Sequence, residues 1–382
     1  MPSRPPSLFR LVSLAVAAVT AVPIIGVSVI VGGTATARVE AYVSGRFQNL
    51  ADRVTERLDQ GLQERLADVR SLAAVLGSDL SPDAQSRLRA AIEAMQASAP
   101  EYGWIGLAAS AGQVLVATDS MLEGQDVSNR PWFRGALQGP FVGDVHDAVL
   151  LAKLLGPAPD GSPVRFVDVA APVTRPDGVP VAVLGGHLSW TWADEVQRSI
   201  LGTITQGGSG AEGLVLAKNG TVLLGPPDLL GSQLTLPSTQ AAAQGVRRTS
   251  VETWPDGREY LTAVTPSDGY RDYPGLGWIV VVRQDADVAF APARAIRWQL
   301  ATVGLAAALL ALAVGLWLAR RVTRPLTDVA AAAERVRQGD LTAHVPYTRA
   351  YAEVATLSAT LVDLEARLAE MEPAAPVRAK ST

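Results

Sequence analysis

The chain of 382 residues has no cysteine, only three lysines and no excess of positive charge, since its formal net charge is −4. The absence of cysteine excludes disulfides and thiolate metal ligands. The negative net charge gives no support to nucleic-acid binding, which depends on a basic surface. Apolar residues, by contrast, are abundant at 48% of the chain, and two long apolar runs contribute to that proportion.

The motifs of common enzymes are also missing. The sequence contains no phosphate-binding Walker loop, no Gly-x-Ser-x-Gly nucleophile elbow and no His-Glu-x-x-His motif. The run from Gly208 to Gly213 fits the letters of the dinucleotide-binding motif, but it precedes a predicted strand, whereas that motif follows one. We therefore predict a protein that is not an enzyme and that uses no cofactor.

The three histidines are His146, His187 and His344. His146 lies between Asp144 and Asp147, and side chains of these types can ligate a metal ion. No second histidine is near in the sequence, and cysteine is absent. We predict that His146 and His187 contact a ligand as polar walls of a pocket and that no metal is bound.

The two apolar runs, residues 11–31 and 299–319, contain no charged residue. Each is long enough to cross a hydrocarbon core of about 30 Å as a helix. Arginines at positions 4, 10, 320, 321 and 324 flank the runs on their outer sides, which predicts that both termini are cytoplasmic. A cleaved signal peptide is the alternative for the first run, since Ala35-Thr36-Ala37 could serve as its cleavage site. The run is longer than the usual ~7–15 apolar residues of a signal peptide, however.

These patterns predict a multi-pass protein of the bacterial inner membrane, with the residues between the spans in the periplasm. We assign residues 1–10 to a cytoplasmic N-terminus, 11–31 and 299–319 to membrane helices, 38–295 to a periplasmic domain, 320–371 to a cytoplasmic helix pair and 372–382 to a disordered tail.

Apolar residues recur every three or four positions from Val39 to Leu76, which predicts one long amphipathic helix. Ser81 is placed to cap a second helix over residues 84–97. Beyond Pro100 the period changes to short strands broken by turn residues. A first module, about residues 100–190, has predicted strands at 104–108, 113–117, 167–173 and 179–188. A helix at 191–201 leads to a second module, about residues 212–283, with strands at 213–217, 221–224, 250–254, 259–264 and 276–283.

The segment Arg130-Pro131-Trp132 is the best candidate for a binding site. A residue before proline favours an extended conformation, and in an extended segment positions i and i+2 face the same way. The guanidinium of Arg130 and the indole of Trp132 are therefore expected to reach one cavity. Arginine matches the geometry of a carboxylate, while tryptophan forms a rigid apolar wall. The alternative is that Arg130 pairs with a nearby aspartate and Trp132 belongs to the core.

A long helix that carries two sheet modules between membrane spans resembles the double Cache sensor family. The resemblance covers about residues 38–295 and rests on this layout and on local matches at residues 130–136, 169–172 and 277–281. It implies a fold with PAS-like antiparallel sheets on a long helix, in which the first, membrane-distal module holds the ligand. In family members that sense amino acids, the arginine and tryptophan of this motif hold the ligand carboxylate. For this chain that implies ligand contacts from Arg130, Trp132 and the aromatic that follows, Phe133.

The sequence departs from the family pattern at two positions. The tyrosine expected five residues before the arginine is Gln125, and the aspartate expected to hold the ligand ammonium is His187. Because an imidazole is a poor partner for an ammonium group, we expect a carboxylate or another anion rather than an α-amino acid.

Two amphipathic helices follow the second span. The first begins after Arg324-Pro325 and the second shows apolar residues every three or four positions at Val354, Leu357, Leu361 and Leu364, a spacing that a coiled coil requires. Pro325 is expected to bend the first helix. The pair resembles the HAMP domain, which implies a parallel four-helix coiled coil formed by a homodimer. The implied relay residues are Pro325, Leu326, Gly339, Asp340, Leu341, Glu353, Leu357 and Leu361.

The sequence thus predicts a membrane α+β protein with two transmembrane helices, an extracytoplasmic double Cache domain and a cytoplasmic HAMP domain. We expect a receptor that binds a small anionic ligand in the membrane-distal module and signals through HAMP. No output domain follows in the sequence, so we expect either a separate kinase, cyclase or chemotaxis component as the partner or a truncated receptor that lacks its output module. The alternative is an envelope assembly protein that docks a protein partner, which exposed aromatics around Trp254, Tyr270 and Tyr273 would favour.

Overall fold

The computed structural model describes residues 7–147, 151, 154, 164–205, 210–338, 344 and 346–371. The chain divides into two compact units. One spans Arg38–Pro292, and the other combines Met1–Ala37 with Ala293–Thr382.

The first helix, α1, runs over Leu8–Leu76. It joins the apolar run and the predicted amphipathic helix without a break and continues through Gly32 and Gly33. It ends where the spacing predicted, and Gly77 follows in the left-handed conformation with a φ of +61°, a common way for a helix to end. On its inner face Val54, Leu58 and Leu62 are fully buried.

The second helix, α2, covers Pro82–Ser98 and confirms the prediction. Ser81 is its N-cap, and the Ser81 hydroxyl accepts a hydrogen bond from the backbone N–H of Ala84 at 3.3 Å. Such a cap satisfies one of the donors left free in the first turn. The buried residues Leu88 and Ile92 turn toward the main core.

The first module contains a five-stranded antiparallel sheet in the order β2-β1-β5-β4-β3. Its strands are β1 (Tyr102–Ala109), β2 (Val114–Ala117), β3 (Phe141–Asp147), β4 (Arg165–Thr174) and β5 (Pro180–Ser189). A short helix, α3, covers Pro131–Ala136 between β2 and β3. Four strands confirm the sequence-based prediction, whereas β3 and α3 were not predicted. The sequence of β3, with a glycine, two aspartates and a histidine, has few of the residues that favour strands.

Helix α4 (Thr191–Thr205) leads to the second module, as predicted. Its sheet has the order β7-β6-β10-β9-β8. The strands are β6 (Glu212–Leu216), β7 (Val222–Leu224), β8 (Arg248–Thr253), β9 (Glu259–Pro266) and β10 (Ile279–Asp285). Helices α5 (Pro237–Ala243) and α6 (Ala286–Ala289) complete the module. The last strand was predicted to start at Leu276 but begins at Ile279.

One main core joins both sheets to α1 and α2. Leu58 and Leu62 of α1 belong to the same buried cluster as Val169 of the first sheet and Val280 of the second. Burial of this size is the dominant stabilising term in a domain. The opposite face of each sheet has a smaller core of its own.

In the other unit, the first part of α1 packs against α7 (Ala291–Arg337). An added β-carbon at Gly304 would clash with Ser28 Oγ, and one at Gly315 would clash with Val16 Cγ1. Small residues therefore let the two helices approach closely, as they do where helices meet in membranes. Both helices are long and apolar enough to cross a membrane.

Candidate ligand-binding cavity

A cavity of about 350 Å³ lies on the face of the first sheet that carries the smaller core. Trp104, Leu122, Phe141 and Leu151 contribute apolar wall, and Trp132 covers one side. The polar residues that line it are Gln125, Asp126, Arg130, Asp144, His146, Asp147, Asp168 and His187. Apolar walls with a few converging polar groups are typical of small-molecule sites.

One cross-strand row builds the floor of the cavity. Trp104 on β1 lies opposite His187 on β5, His187 lies opposite Asp168 on β4, and Asp168 lies opposite Gly143 on β3. Residues opposite each other in an antiparallel sheet point to the same face, so these side chains share the cavity side. Gly143 leaves room at the end of the row, because an added β-carbon there would lie 3.1 Å from Asp168 Oδ2.

A one-residue bulge in β3 brings His146 to the same face. Gly143 pairs with Asp168, but the next pair is His146 with Phe166, so the register shifts between them. In a regular ladder Val145 would lie opposite Phe166, and His146 would then point to the other face of the sheet. Bulges often redirect a side chain in this way. Val145 packs instead against the main core.

The segment Arg130-Pro131-Trp132 lies at the cavity, but its geometry differs from the prediction. Arg130 is extended, with φ −78° and ψ 138°, and is the N-cap of α3. Trp132 is not on an extended segment with it, because the helix begins at Pro131. Proline suits the first helical position, where its missing N–H costs no hydrogen bond. Both side chains reach the cavity all the same.

Arg130 is exposed at the rim. Among the described residues, its guanidinium has neither a hydrogen bond nor an ion pair. The predicted alternative of a structural pair between Arg130 and an aspartate therefore has no support in this structure. An unpaired guanidinium beside an apolar pocket is available to an anionic group.

Trp132 is nearly fully buried, with 3% of its surface exposed, and belongs to the core cluster on this face as well as to the cavity wall. Its ring lies against Gly185 of β5, since an added β-carbon there would lie 2.6 Å from Trp132 Cζ3. On the other face, Gly186 leaves the same kind of space for the ring of Tyr102. The Gly185-Gly186 pair thus seats an aromatic ring on each side of the sheet.

Phe133 does not line the cavity. It is buried in the core on this face, and its ring meets the ring of Trp132 edge-on with centroids 5.9 Å apart. Of the five predicted ligand-contact residues, the structure thus brings together Arg130, Trp132, His146 and His187 and places Phe133 behind Trp132.

Asp168 is the site residue that the sequence did not reveal. Its carboxylate is 6% exposed, and its Oδ1 lies 2.5 Å from His187 Nδ1 and 3.6 Å from His146 Nε2. The prediction of no metal site assumed that His146 has no second histidine nearby, and that premise is wrong because the sheet places His187 beside it. One signal for Asp168 is visible along the chain, because it is a lone charge within the apolar run from Phe166 to Val173.

Aromatic rings surround His187. Its ring centroid lies 5.0 Å from that of Trp104 and 5.8 Å from that of Trp132, which it meets edge-on. Phe166 lies 6.0 Å away on the next strand. The imidazole is therefore held in place on several sides by packing, with only its contact to Asp168 and the cavity left polar.

The other carboxylates of the cavity are partly engaged. Asp144 Oδ1 accepts hydrogen bonds from Trp278 Nε1 at 2.8 Å and from the backbone N–H of Val145 at 2.7 Å. Asp126 accepts a hydrogen bond from the backbone N–H of Ser128, which lowers the pKa of its carboxyl. The lining of the cavity is thus rich in acceptors.

The corresponding face of the second sheet is filled. Leu214, Leu216, Val281 and other apolar residues form its core. The guanidinium of Arg283 lies over the rings of Trp254 and Tyr260, at 4.1 and 4.5 Å from their centroids. Trp254 and Tyr273 are buried and Tyr270 is half-buried, so the exposed aromatic surface that would favour a docking protein is not found there.

The predicted relay residues belong to α7 and to α8, which covers Ala352–Met371. Helix α7 continues through Pro325, and Leu326 joins a small cluster with Val329, Ala332 and Val354. Leu361 is partly buried against this cluster, whereas Glu353 is exposed and Leu357 is 45% exposed. Gly339, Asp340 and Leu341 lie outside the described residues.

The connector before α8 is held by hydrogen bonds. The hydroxyl of Ser358 donates to Pro346 O at 2.6 Å and accepts from the backbone N–H of Thr348 at 3.1 Å. The Tyr351 hydroxyl donates to Val322 O on α7 at 2.9 Å. Within the described part of this unit, polar contacts as well as apolar ones therefore join the two helices.

Comparisons with known proteins place two domains on the chain. The model of the Cache domain matches residues 35–293, and that of the HAMP domain matches residues 317–364. The search of curated proteins found no significant match.

Solved structures with a similar fold include two chemoreceptor domains. One is the ligand-binding domain of the Pseudomonas aeruginosa PAO1 amino acid chemoreceptor PctB in complex with L-Arg. The two chains are 18% identical and superpose with a TM-score of 0.48, and the match covers 65% of this chain and 97% of the PctB domain. The other is the sensory domain of the Campylobacter jejuni chemoreceptor Tlp3 with isoleucine bound. The sequence identity is 12% and the TM-score 0.51, and the match covers 67% of this chain and 98% of the Tlp3 domain. At this level of identity the likeness concerns the fold alone.

Proposed function

The chain belongs to the Cache domain family and also carries a HAMP domain, and from this premise we propose that it is a transmembrane receptor for a small extracytoplasmic ligand. Both domains are sensory rather than catalytic, which favours a protein that is not an enzyme. The observation that carries the proposal is the cavity of about 350 Å³ in the first module, with Arg130 unpaired at its rim among the described residues.

Arg130 supports a ligand with a carboxylate or another anionic group. A guanidinium binds a carboxylate through two parallel hydrogen bonds, and the indole of Trp132 supplies an apolar wall beside it. His146 and His187 also line the cavity. In this proposal Phe133 acts indirectly, by packing behind Trp132 and holding its ring in place.

Asp168 supports a second candidate, a ligand with both an anionic and a cationic group. The sequence-based argument against an α-amino acid rested on His187 replacing the expected aspartate. Asp168 restores a buried carboxylate one strand away, and Asp126, Asp144 and Asp147 add negative charge around it. A zwitterion would place its carboxylate at Arg130 and its ammonium at this acidic wall.

Membrane insertion is part of the proposal. The two apolar helices would cross the membrane, the Cache domain would lie in the periplasm and both termini in the cytoplasm. The arginines at the outer flanks support this orientation. The helix contacts at Gly304 and Gly315 support close packing of the two spans within one chain.

Signal relay would pass from the second span to a dimeric HAMP bundle. Leu357 and Leu364 are 45% and 52% exposed, although their three-and-four spacing with Val354 and Leu361 is that of a coiled-coil seam. A second copy of α8 would cover them. The output module would be a kinase, cyclase or chemotaxis component outside this sequence.

The alternative of an envelope assembly protein is less well supported. Exposed aromatics around Trp254 and Tyr273 would favour it, but both residues are buried. The cavity lined by Trp132 also favours a small ligand over a docked protein.

Thermal melting of the full-length protein in detergent tests the ligand proposal. A panel of small mono- and dicarboxylates and α-amino acids would be added, and a compound at 100 times its Kd should stabilise the folded state by about 2.7 kcal/mol. Because a charge-assisted hydrogen bond contributes about 1.5–3 kcal/mol, Arg130→Ala should weaken binding by about 10- to 100-fold.

Arg134→Ala is the matched control. Arg134 lies on α3, the helix that Arg130 caps. Its Nε donates a hydrogen bond to Ser128 O at 3.1 Å, and the residue does not line the cavity. Its removal should leave the ligand-induced shift intact. Equal shifts in the parent and in Arg130→Ala would refute the role of Arg130, and whether dicarboxylates or amino acids stabilise the protein separates the two ligand candidates.

A further inference from the structure

Two imidazoles and one carboxylate converge on one side of the cavity. Both His187 Nδ1, at 2.5 Å, and His146 Nε2, at 3.6 Å, face the same oxygen, Asp168 Oδ1. The three possible ligand atoms all lie within 4.8 Å of one another. Histidine nitrogens and carboxylate oxygens are common ligands of divalent transition metals, and three protein ligands leave a further position open.

The second ring nitrogen of His146 decides which atom faces Asp168. His146 Nδ1 lies 3.1 Å from the backbone carbonyl of Asp144, and a carbonyl can only accept, so Nδ1 carries the proton. In the neutral ring Nε2 then directs a lone pair toward the carboxylate of Asp168. Two acceptors in this position need a proton or a cation between them.

This arrangement is the usual one around a bound metal. A metal-ligating histidine donates its other N–H to a backbone carbonyl or a carboxylate, which fixes the tautomer and the ring orientation. The bulge in β3 matters for the same reason, because it places both the His146 ring and the Asp144 carbonyl where this contact can form.

We propose that His146, Asp168 and His187 form a three-ligand site for a divalent transition metal ion such as Zn²⁺. Zinc–ligand bonds of ~2.0–2.2 Å at tetrahedral angles place the ligand atoms roughly 3.3–3.6 Å apart. The 3.6 Å between His146 Nε2 and Asp168 Oδ1 already fits that spacing. To bind the ion, His187 must release the Nδ1 proton that it shares with Asp168, and its ring must turn to lengthen that contact by about 1 Å.

The metal site goes beyond the proposed function, since the three side chains would bind the ion whether or not a small ligand follows. It also bears on the charge of that ligand. The three ligands together carry a formal charge of −1, and a divalent ion would change the charge of this cluster to +1, because a bound cation is often the largest local charge in a site. The open position would then favour an anion.

Zinc titration of the full-length protein in detergent tests the proposal. The protein would carry a purification tag without histidine and be treated with EDTA and dialysed, and Zn²⁺ would be added in competition with a chromophoric chelator. We expect one Zn²⁺ per chain. Loss of a side chain that ligates the metal should weaken Zn²⁺ binding at least as much as loss of a residue that hydrogen-bonds to such a side chain. His146→Ala and Asp168→Asn should therefore each lower the Zn²⁺ affinity at least about tenfold.

The chain offers a matched control in its third histidine. His344→Ala removes an imidazole outside the Cache domain and should leave the Zn²⁺ affinity unchanged. His146 is 38% exposed, so its substitution should not prevent folding, and it decides the question even if Asp168→Asn does not fold. Co²⁺ can be bound in place of Zn²⁺ as a spectroscopic probe. In the parent protein its absorption spectrum should contain a band typical of nitrogen and oxygen ligands at low coordination number, and this band should be absent in His146→Ala.

Equal Zn²⁺ affinity in the parent and in His146→Ala, or a loss seen in His344→Ala instead, would overturn the metal site. So would a parent that binds no Zn²⁺, which would leave a proton rather than a metal between His146 and Asp168. If a carboxylate still stabilises such a metal-free protein through Arg130, the metal inference fails and the proposed function stands.

Discussion

Asp59 on α1 is a buried carboxylate whose ionisation should destabilise the folded protein. Its side chain is 4% exposed, and it accepts a hydrogen bond from the Ser267 hydroxyl at 2.6 Å. Burial raises the pKa of its carboxyl from 3.8 to about 6, although the hydrogen bonds oppose the increase. The perturbation we consider is Asp59→Asn, which removes the charge and keeps an oxygen that can accept from Ser267.

The sign follows from proton uptake. Between pH 3.8 and about 6 the folded state holds the proton of Asp59 while the unfolded state has lost it, so the free energy of unfolding falls as the pH rises through this range. Below this pH range Asp59 is protonated in both states and does not lower the free energy of unfolding. Above the range it is ionised in both states, and the loss of stability is complete. A difference of about two pKa units corresponds to about 3 kcal/mol.

We therefore expect Asp59→Asn to be more stable than the parent by up to about 3 kcal/mol at pH 7.5 and equally stable near pH 4. For a unit of this size, that difference raises Tm by about 5–10 °C. Thermal melts of the full-length protein at several pH values measure both the gain in Tm and its dependence on pH. Glu56→Gln, an exposed carboxylate one turn earlier on α1, is the control and should show neither effect. A gain that is the same at pH 4 and pH 7.5 would refute the ionisation argument.

Two further predictions concern the cavity and the topology. Gly185→Ala should destabilise the protein by about 1–3 kcal/mol and weaken ligand binding, because the new methyl group would lie 2.6 Å from Trp132 Cζ3. Gly45→Ala is the control and should have neither effect, because nothing lies within 4 Å of its new carbon. Equal melting temperatures and equal ligand affinities for the two variants would contradict the packing at Trp132. A reporter that is active only in the periplasm should work when fused after Gly210 and fail when fused after Glu370, and activity at both positions would rule out two spans.

Much of the fold could be predicted because its signals are local. The three-and-four spacing along α1 depends on neighbouring turns of one helix, and the N-cap at Ser81 depends on the residues that follow it. The strands predicted at 213–217 and 221–224 likewise form the hairpin of β6 and β7, in which Gly220 has a φ of +88°. Each of these patterns can be recognised without knowing what packs against it.

The site could be predicted only in part, because its chemistry depends on pairing between distant strands. Asp168 and His187 face each other through the register of β4 and β5, and His146 joins them through the bulge in β3. A shift of one residue in either pairing would send a side chain to the other face. The sequence therefore indicated Arg130 and Trp132, which are close along the chain, and the two histidines one by one. It missed Asp168 and the cluster that Asp168 forms with the histidines.

Ligand-dependent cross-linking of α8 in membranes tests most directly whether the cavity communicates with the HAMP domain. The chain has no cysteine, so Leu364→Cys introduces one reporter on the proposed seam and Asp363→Cys a neighbour off it. Seam cysteines can come within the ~7 Å between Cα atoms that a disulfide requires.

We predict fast cross-linking between subunits at Leu364→Cys and slow cross-linking at Asp363→Cys. Addition of the carboxylate or amino acid that raises the melting temperature should change the Leu364→Cys rate in the parent background but not in Arg130→Ala. A rate that does not respond to saturating ligand, or that responds equally in Arg130→Ala, would contradict a receptor that senses through this cavity.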